Sequence, residues 1–99
     1  MVAQKAREIA FNTIHTTYEE GLNKMMKHID ERIEKEASKG FLSVSFCFND
    51  LIKNFIKIYN KTIEDTVEEY IKTQYEKKFF KVYITKINIS SYKTITIDW

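Results

Sequence analysis

The side chains best suited to catalysis are few, and their spacing does not bring them together. His15 and His28 lie 13 residues apart, so on one straight helix they point to nearly opposite sides. Cys47 is the single cysteine of the chain. One thiol and two separated imidazoles predict neither a zinc site nor a nucleophile–base pair.

Carboxylates and glycines lead to the same expectation. The adjacent pairs Glu19–Glu20 and Glu68–Glu69 diverge on a helix, which is the wrong geometry for shared acid–base work. The whole chain holds two glycines, too few for a glycine-rich phosphate loop. We therefore expect no catalytic residues, no metal ligands and no cofactor, and we interpret the chain as a non-enzymatic protein.

Three lysines form the one regular basic pattern. Lys53, Lys57 and Lys61 recur at every fourth residue, which places them along one face of a predicted helix. Such a strip could hold an anion or a phosphate backbone, although an ordinary solvated helix face has the same pattern. The net charge of +2 is weak for a duplex-binding protein.

The longest predicted element is a helix over residues 3–39, with apolar positions at helical spacing until Gly40. A straight helix of that length would measure about 55 Å, against a radius of gyration of about 13 Å for a domain of this size. The helix must therefore bend, project, or pack against another chain, and a kink near Gly21 is one alternative. We take self-association as the prediction, through the stripe Leu22, Met26, Ile29 and Ile33.

The rest of the chain alternates between strand and helix patterns. Period-two alternation predicts strands over residues 41–48, 79–87 and 93–99, and helical spacing predicts a second helix over residues 50–78. A break of that helix at Asn60 stays open. The order α-β-α-β-β predicts a single α+β domain with two long helices packed on one face of a three-stranded sheet.

The other face of the predicted sheet is rich in hydroxyl groups and poor in charge. It could pair with another sheet or hydrogen-bond a ligand, although Thr and Tyr also favour strands without any function. The candidate partner-binding residues on this face are Ser43, Ser45, Lys81, Tyr83, Thr94 and Thr96.

Composition limits the compartment. No apolar run approaches the roughly 18 residues of a membrane span, and the N-terminus lacks the apolar stretch of a signal peptide. The single cysteine fits a reducing environment. The expectation is a cytoplasmic protein that makes no membrane contact.

Three segments carry a family resemblance: residues 6–10, AREIA, open a charged helix; residues 40–44, GFLSV, begin an alternating strand; and residues 95–99, ITIDW, close the chain. This pattern resembles small accessory proteins encoded by bacteriophages and mobile elements of low-GC bacteria. The resemblance implies a non-enzymatic phage-type protein that binds a host or defence component, or a signalling nucleotide, in the host cytoplasm.

Two functions from different classes follow. The first is a homo-oligomeric binding protein that inhibits or sequesters a protein partner or a small anionic signalling ligand. The second is a nucleic-acid-binding regulator that uses the lysine row and a basic C-terminal hairpin, and its binding would weaken steeply with salt.

Overall fold

A computed structural model describes residues 1–57, 60–86 and 92–99. The helical segments in these residues are α1 (Ala3–Thr17), α2 (Glu19–Ser38), α3 (Phe48–Leu51), which continues into a π-helical turn (Ile52–Ile56), and α4 (Lys61–Glu76). The strands are β1 (Ser43–Cys47), β2 (Lys81–Lys86) and β3 (Lys93–Asp98).

The first predicted helix is divided in two. Tyr18, with φ −119° and ψ 27°, separates α1 from α2, so the prediction of one helix over residues 3–39 is wrong. The division lets α1 pack on α4, where the Phe11 and Tyr70 rings meet edge to face with centroids 5.6 Å apart. The longest dimension of the chain is 44 Å, shorter than the straight helix would be. Of the three alternatives, the helix bends.

Gly21 lies three residues after this break and has a different role. A Cβ atom at Gly21 would overlap the backbone carbonyl oxygen of Phe55. The missing side chain therefore lets α2 lie directly against the end of the π-helical turn. The kink falls near Gly21, as the alternative supposed, but the glycine serves close packing between helices.

The second predicted helix, over residues 50–78, is also divided. The π-helical turn ends at Lys57, whose φ of 56° and ψ of 45° are left-handed. Asn60 then caps α4, since its Oδ1 accepts hydrogen bonds from the backbone N–H groups of Thr62 at 2.9 Å and Ile63 at 3.2 Å. The break left open at Asn60 is therefore present. Residues 58–59 of the predicted helix lie outside the described residues.

The sheet has the order β1-β3-β2, and both outer strands run antiparallel to β3. The last strand of the chain is thus the central one, which the sequence pattern did not indicate. Val44 and Val82 lie on either side of Ile97 in the register. The turn predicted at residues 88–91 lies outside the described residues.

Helices cover one face of this sheet, which confirms the predicted α+β class. The strand residues Val44, Phe46, Val82, Ile95 and Ile97 are buried. The buried helix residues that pack with them in one core are Ile14, Leu22, Met25, Ile29, Phe48, Leu51, Ile52, Ile56, Val67, Ile71 and Tyr75.

Candidate functional site

The lysine row does not form a strip on one helix. Lys53 lies in the π-helical turn, Lys57 ends that turn in the left-handed conformation, and Lys61 begins α4. All three side chains are exposed. Because a change of chain direction separates them, the spacing that predicted a common helix face no longer applies, and that prediction is wrong.

The proposed oligomer stripe belongs to the core of the single chain. Leu22 is 1% exposed and Ile29 is 0% exposed, while Met26 and Ile33 are half-buried against the same core. Side chains that the chain's own sheet and helices already cover cannot contact a second copy. The prediction that this stripe is an interface is therefore wrong for Leu22 and Ile29, and an oligomer needs another surface.

The sheet face turned away from the helices, which we call the open face, brings the other predicted residues together. Ser45, Thr96 and Tyr83 form one row across the three strands. The Ser45 and Thr96 hydroxyl oxygens are 2.9 Å apart and hydrogen-bonded. By alternation along the strands, the open face consists of Ser43, Ser45, Cys47, Lys81, Tyr83, Thr85, Thr94, Thr96 and Asp98.

The open face carries no net charge. Asp98 lies directly between Ser43 and Lys81 in the register. The carboxylate of Asp98 therefore balances the charge of the Lys81 ammonium group. The other members carry hydroxyl groups or, at Cys47, a thiol. Such a surface offers hydrogen bonds but little attraction for an anion.

Apolar side chains line a cleft at one end of the sheet, and we call them the aromatic rim. The rim consists of Leu42 and Phe79, which are exposed, and Trp99, which is partly buried against the core. With Ser43, Lys81 and Asp98 they line an open cleft of about 350 Å³. Phe79 is 95% exposed and Leu42 is 73% exposed. Clustered exposed apolar groups with a polar border are typical of protein interaction sites.

The backbone at Phe79 is unusual for its residue type. Helix α4 ends in a Schellman motif, in which the N–H of Phe80 donates to Tyr75 and the N–H of Phe79 donates to Glu76. The motif requires a left-handed residue, and Phe79 fills it with φ 69°. A residue other than glycine costs about 1–2 kcal/mol there.

Helix α2 ends in the same motif, with glycine in the left-handed position. The N–H of Phe41 donates to Glu36 and the N–H of Gly40 donates to Ala37, and Gly40 has φ 90°. The chain thus uses glycine at one motif and an exposed phenylalanine at the other. Local strain without a packing reason is a signal of function.

Sequence reasoning missed the aromatic rim, although a signal was present. Phe79 and Phe80 are adjacent at the start of a predicted strand, and alternation sends neighbouring side chains to opposite faces. Phe80 packs on the Tyr75 ring with centroids 5.7 Å apart. One of the two phenylalanines therefore had to lie off the core.

Both histidine side chains contact aromatic side chains of the core or its border. His15 Nδ1 lies 3.2 Å from the Tyr70 hydroxyl, and burial raises the pKa of Tyr70. The His28 ring lies edge to face with Phe46 and tilted against Phe55, with ring centroids 6.0 and 5.3 Å away. Within residues 1–57, 60–86 and 92–99, no three His, Cys, Asp or Glu side chains are grouped to hold a metal ion.

The C-terminal hairpin is less basic than its sequence indicates. Lys93 points to the helix side, where its Nζ lies 3.0 Å from Asp65 Oδ1 and 3.1 Å from Glu68 Oε1. Burial lowers the pKa of Lys93. The hydrogen bonds and charges of Asp65 and Glu68 raise it by a larger amount, so the pKa lies above its usual value. A lysine held by two carboxylates is not available to phosphate.

We expect Lys93→Met to lower the free energy of unfolding by about 2 kcal/mol at neutral pH, because the mostly buried Glu68 carboxylate loses its partner. The raised pKa means that the contribution of Lys93 is complete below pH 10.5 and is lost as pH rises through the folded-state value. Urea denaturation at neutral and at alkaline pH measures both effects.

The matched control is Lys24→Met, which removes an exposed ion pair with Glu20. Exposed pairs contribute little, so this variant should unfold at nearly the same urea concentration as the wild type. Equal losses for the two variants would contradict a special role for Lys93.

Comparisons with known protein families, with characterised proteins and with solved structures found no match to the chain. The site therefore has to be interpreted from its own geometry. Among the described residues, no helix is both long and apolar enough to cross a membrane.

Proposed function

We propose that this chain is a non-enzymatic binding protein that holds a partner protein on its open face, with the aromatic rim as the anchor. The observation that carries the proposal is Phe79, which is 95% exposed in a left-handed position where the equivalent motif of α2 has glycine. Exposed aromatic side chains are the usual anchors of protein interfaces. The hydroxyl groups beside it supply hydrogen bonds for the border of the interface.

The charges favour a protein partner over the other candidates. Lys81 faces Asp98 across the register, so the cleft gives a small anion no net attraction. Lys93 is paired with two carboxylates, and Lys53, Lys57 and Lys61 are divided between two helical segments. The partner that fits is a neutral protein surface with a pocket for one aromatic ring. By its resemblance to phage accessory proteins, we place a host or defence component first among such partners.

Phe79→Gly should raise the free energy of unfolding by about 1 kcal/mol, because glycine adopts the left-handed conformation without strain. The phenyl ring, being exposed, contributes little packing that could offset the gain. The midpoint of urea denaturation, compared with the wild type, measures the change.

Gly40→Ala is the matched control at the equivalent position of α2. No atom lies within 4 Å of the added Cβ, so the expected loss of about 1 kcal/mol comes from the backbone alone. A loss of stability in Phe79→Gly would mean that the ring is held by packing, and the argument for a functional anchor would fail.

Binding is tested with the same variant. Wild type, Phe79→Gly and Ile9→Ser, which removes an exposed side chain on α1, are used as baits in cells that carry the natural host proteins. A protein retained by wild type and Ile9→Ser but lost by Phe79→Gly is then purified and titrated by calorimetry. One partner molecule per chain, bound at least tenfold more weakly by Phe79→Gly, supports the proposal.

Three other results of the binding experiment would contradict the proposed function. Co-purified nucleic acid, released steeply with salt, would favour the regulator. A small adduct seen by native mass spectrometry would favour capture of a ligand. A partner protein that Phe79→Gly retains as well as the wild type does would rule out the open face as the binding surface.

A further inference from the structure

The edge of the sheet at β1 lacks the charged side chains that often protect a sheet edge. Residues 40–49, GFLSVSFCFN, contain no charged side chain. The opposite edge strand, β2, carries exposed lysines at both ends, Lys81 and Lys86. Charged residues on edge strands prevent pairing with other chains, so the two edges of one sheet differ in whether they resist an added strand.

The hydrogen-bonding groups at this edge follow from the register. The Trp99 N–H donates to the Leu42 carbonyl at 3.0 Å, which makes Leu42 a hydrogen-bonded partner of β3. Bonded and non-bonded positions alternate along an antiparallel pair. The N–H and C=O groups of Ser43 and Ser45 therefore point away from β3, toward the outer edge, and so does the N–H of Cys47. The Cys47 carbonyl belongs to the N-cap of α3.

We propose that β1 pairs antiparallel with β1 of a second copy, about a two-fold axis at Ser45. Ser45 is the middle residue of the strand Ser43–Cys47. In this arrangement Ser45 bonds its own counterpart, and the Cys47 N–H of each copy donates to the Ser43 carbonyl of the other. The edge is self-complementary, as a two-fold interface requires.

Charges beside the edge permit this approach. A groove of about 240 Å³ opens next to β1, and Arg32 and Asp50 lie in its lining. Because one cation accompanies one carboxylate, two copies meet there without net repulsion. Because these two charges balance, the edge has no net attraction for a charged peptide, which favours the second copy as the occupant.

The dimer differs from the association predicted by sequence, because it uses the sheet edge instead of the α2 stripe. It joins two open faces side by side in one continuous sheet, and it leaves both aromatic rims exposed. The inference is independent of the proposed function, since Phe79 takes no part in the pairing.

The test is the mass of the full chain by sedimentation equilibrium over a range of concentrations. Wild type should approach twice 11.8 kDa. Ser45→Lys and Ser45→Glu should each weaken the dimer about tenfold or more, because like charges then face each other across the axis. An equimolar mixture of the two variants should restore the dimer as a heterodimer.

Two controls separate this interface from its alternatives, and circular dichroism confirms that each variant is folded. Ser45→Ala removes the hydroxyl but adds no charge, and Tyr83→Lys adds a charge to the same face on the opposite edge strand. Both should remain dimeric. A wild type that stays monomeric, a mixture that stays monomeric, or a Tyr83→Lys variant that dissociates would each overturn the proposal.

Discussion

Gly21→Ala is expected to lower the free energy of unfolding by about 3 kcal/mol, which is at the upper end of what overpacking a protein interior costs. The added Cβ would overlap the carbonyl oxygen of Phe55, which belongs to the backbone of the π-helical turn. Backbone atoms cannot rotate aside as a flexible side chain does. Either α2 moves away from the turn or the turn distorts, and both changes disturb the core around Leu22 and Ile56.

The sign of this effect makes the test decisive. Within an exposed helix, replacing glycine with alanine stabilises by about 1 kcal/mol. Asn23→Ala, on the exposed side of the same helix, serves as the control and should gain a few tenths of a kcal/mol. Urea denaturation of both variants gives the comparison. A Gly21→Ala variant as stable as the wild type would show that α2 does not approach Phe55.

Tyr75→Ala should lower the free energy of unfolding by about 4 kcal/mol, because Tyr75 is the largest fully buried side chain among the described residues and its removal leaves a cavity. Its hydroxyl donates to Asp30 Oδ1 at 2.7 Å and also contacts the Met26 carbonyl at 3.3 Å. These contacts join α4 to α2 across 45 residues of sequence. Thermal or urea unfolding measures the loss.

Tyr75→Phe separates the hydrogen bond from the packing. It keeps the ring and removes only the hydroxyl, so about 1–2 kcal/mol should be lost. A loss as large as that of Tyr75→Ala would contradict the cavity argument. No loss would show that the bond to Asp30 contributes nothing.

Alkaline pH gives an independent measurement at Tyr75. Burial, and then the hydrogen bond and charge of Asp30, raise the pKa of Tyr75 well above its ordinary value of 10.0. Its contribution is therefore complete below pH 10.0 and is lost as pH rises above it, since the unfolded tyrosine ionises first. Because Tyr75→Phe cannot ionise there, its stability should fall less steeply above pH 10 than that of the wild type.

The strands and their faces could be predicted from the sequence because alternation is a local property. The pattern around Val44 and Phe46 predicted which side chains face the core, and both are buried. The same alternation placed Ser43, Ser45, Lys81 and the other open-face residues together. No contact between distant residues was needed for either prediction.

The sequence raised the two helix breaks, near Gly21 and at Asn60, only as alternatives and could not decide them. Apolar spacing continues through Tyr18 and through Lys57, and neither position carries proline or glycine. Contacts made elsewhere accompany the two breaks, since α1 packs on α4 through Tyr70 and α2 packs on the end of the π-helical turn. Tertiary packing routinely overrides weak helix propensity.

The sequence by itself determined the α+β class and the sides of the strands, since these depend on the period of apolar residues along a few turns or pleats. Only the tertiary structure decided that Leu22 and Ile29 are core, that β3 is central, and that Phe79 is exposed in a strained position. The physical reason is that an apolar stripe in the sequence predicts burial, but it does not show which surface of the same chain or of another chain buries it. The covering surface depends on where the backbone changes direction, and contacts between residues distant in sequence determine those positions.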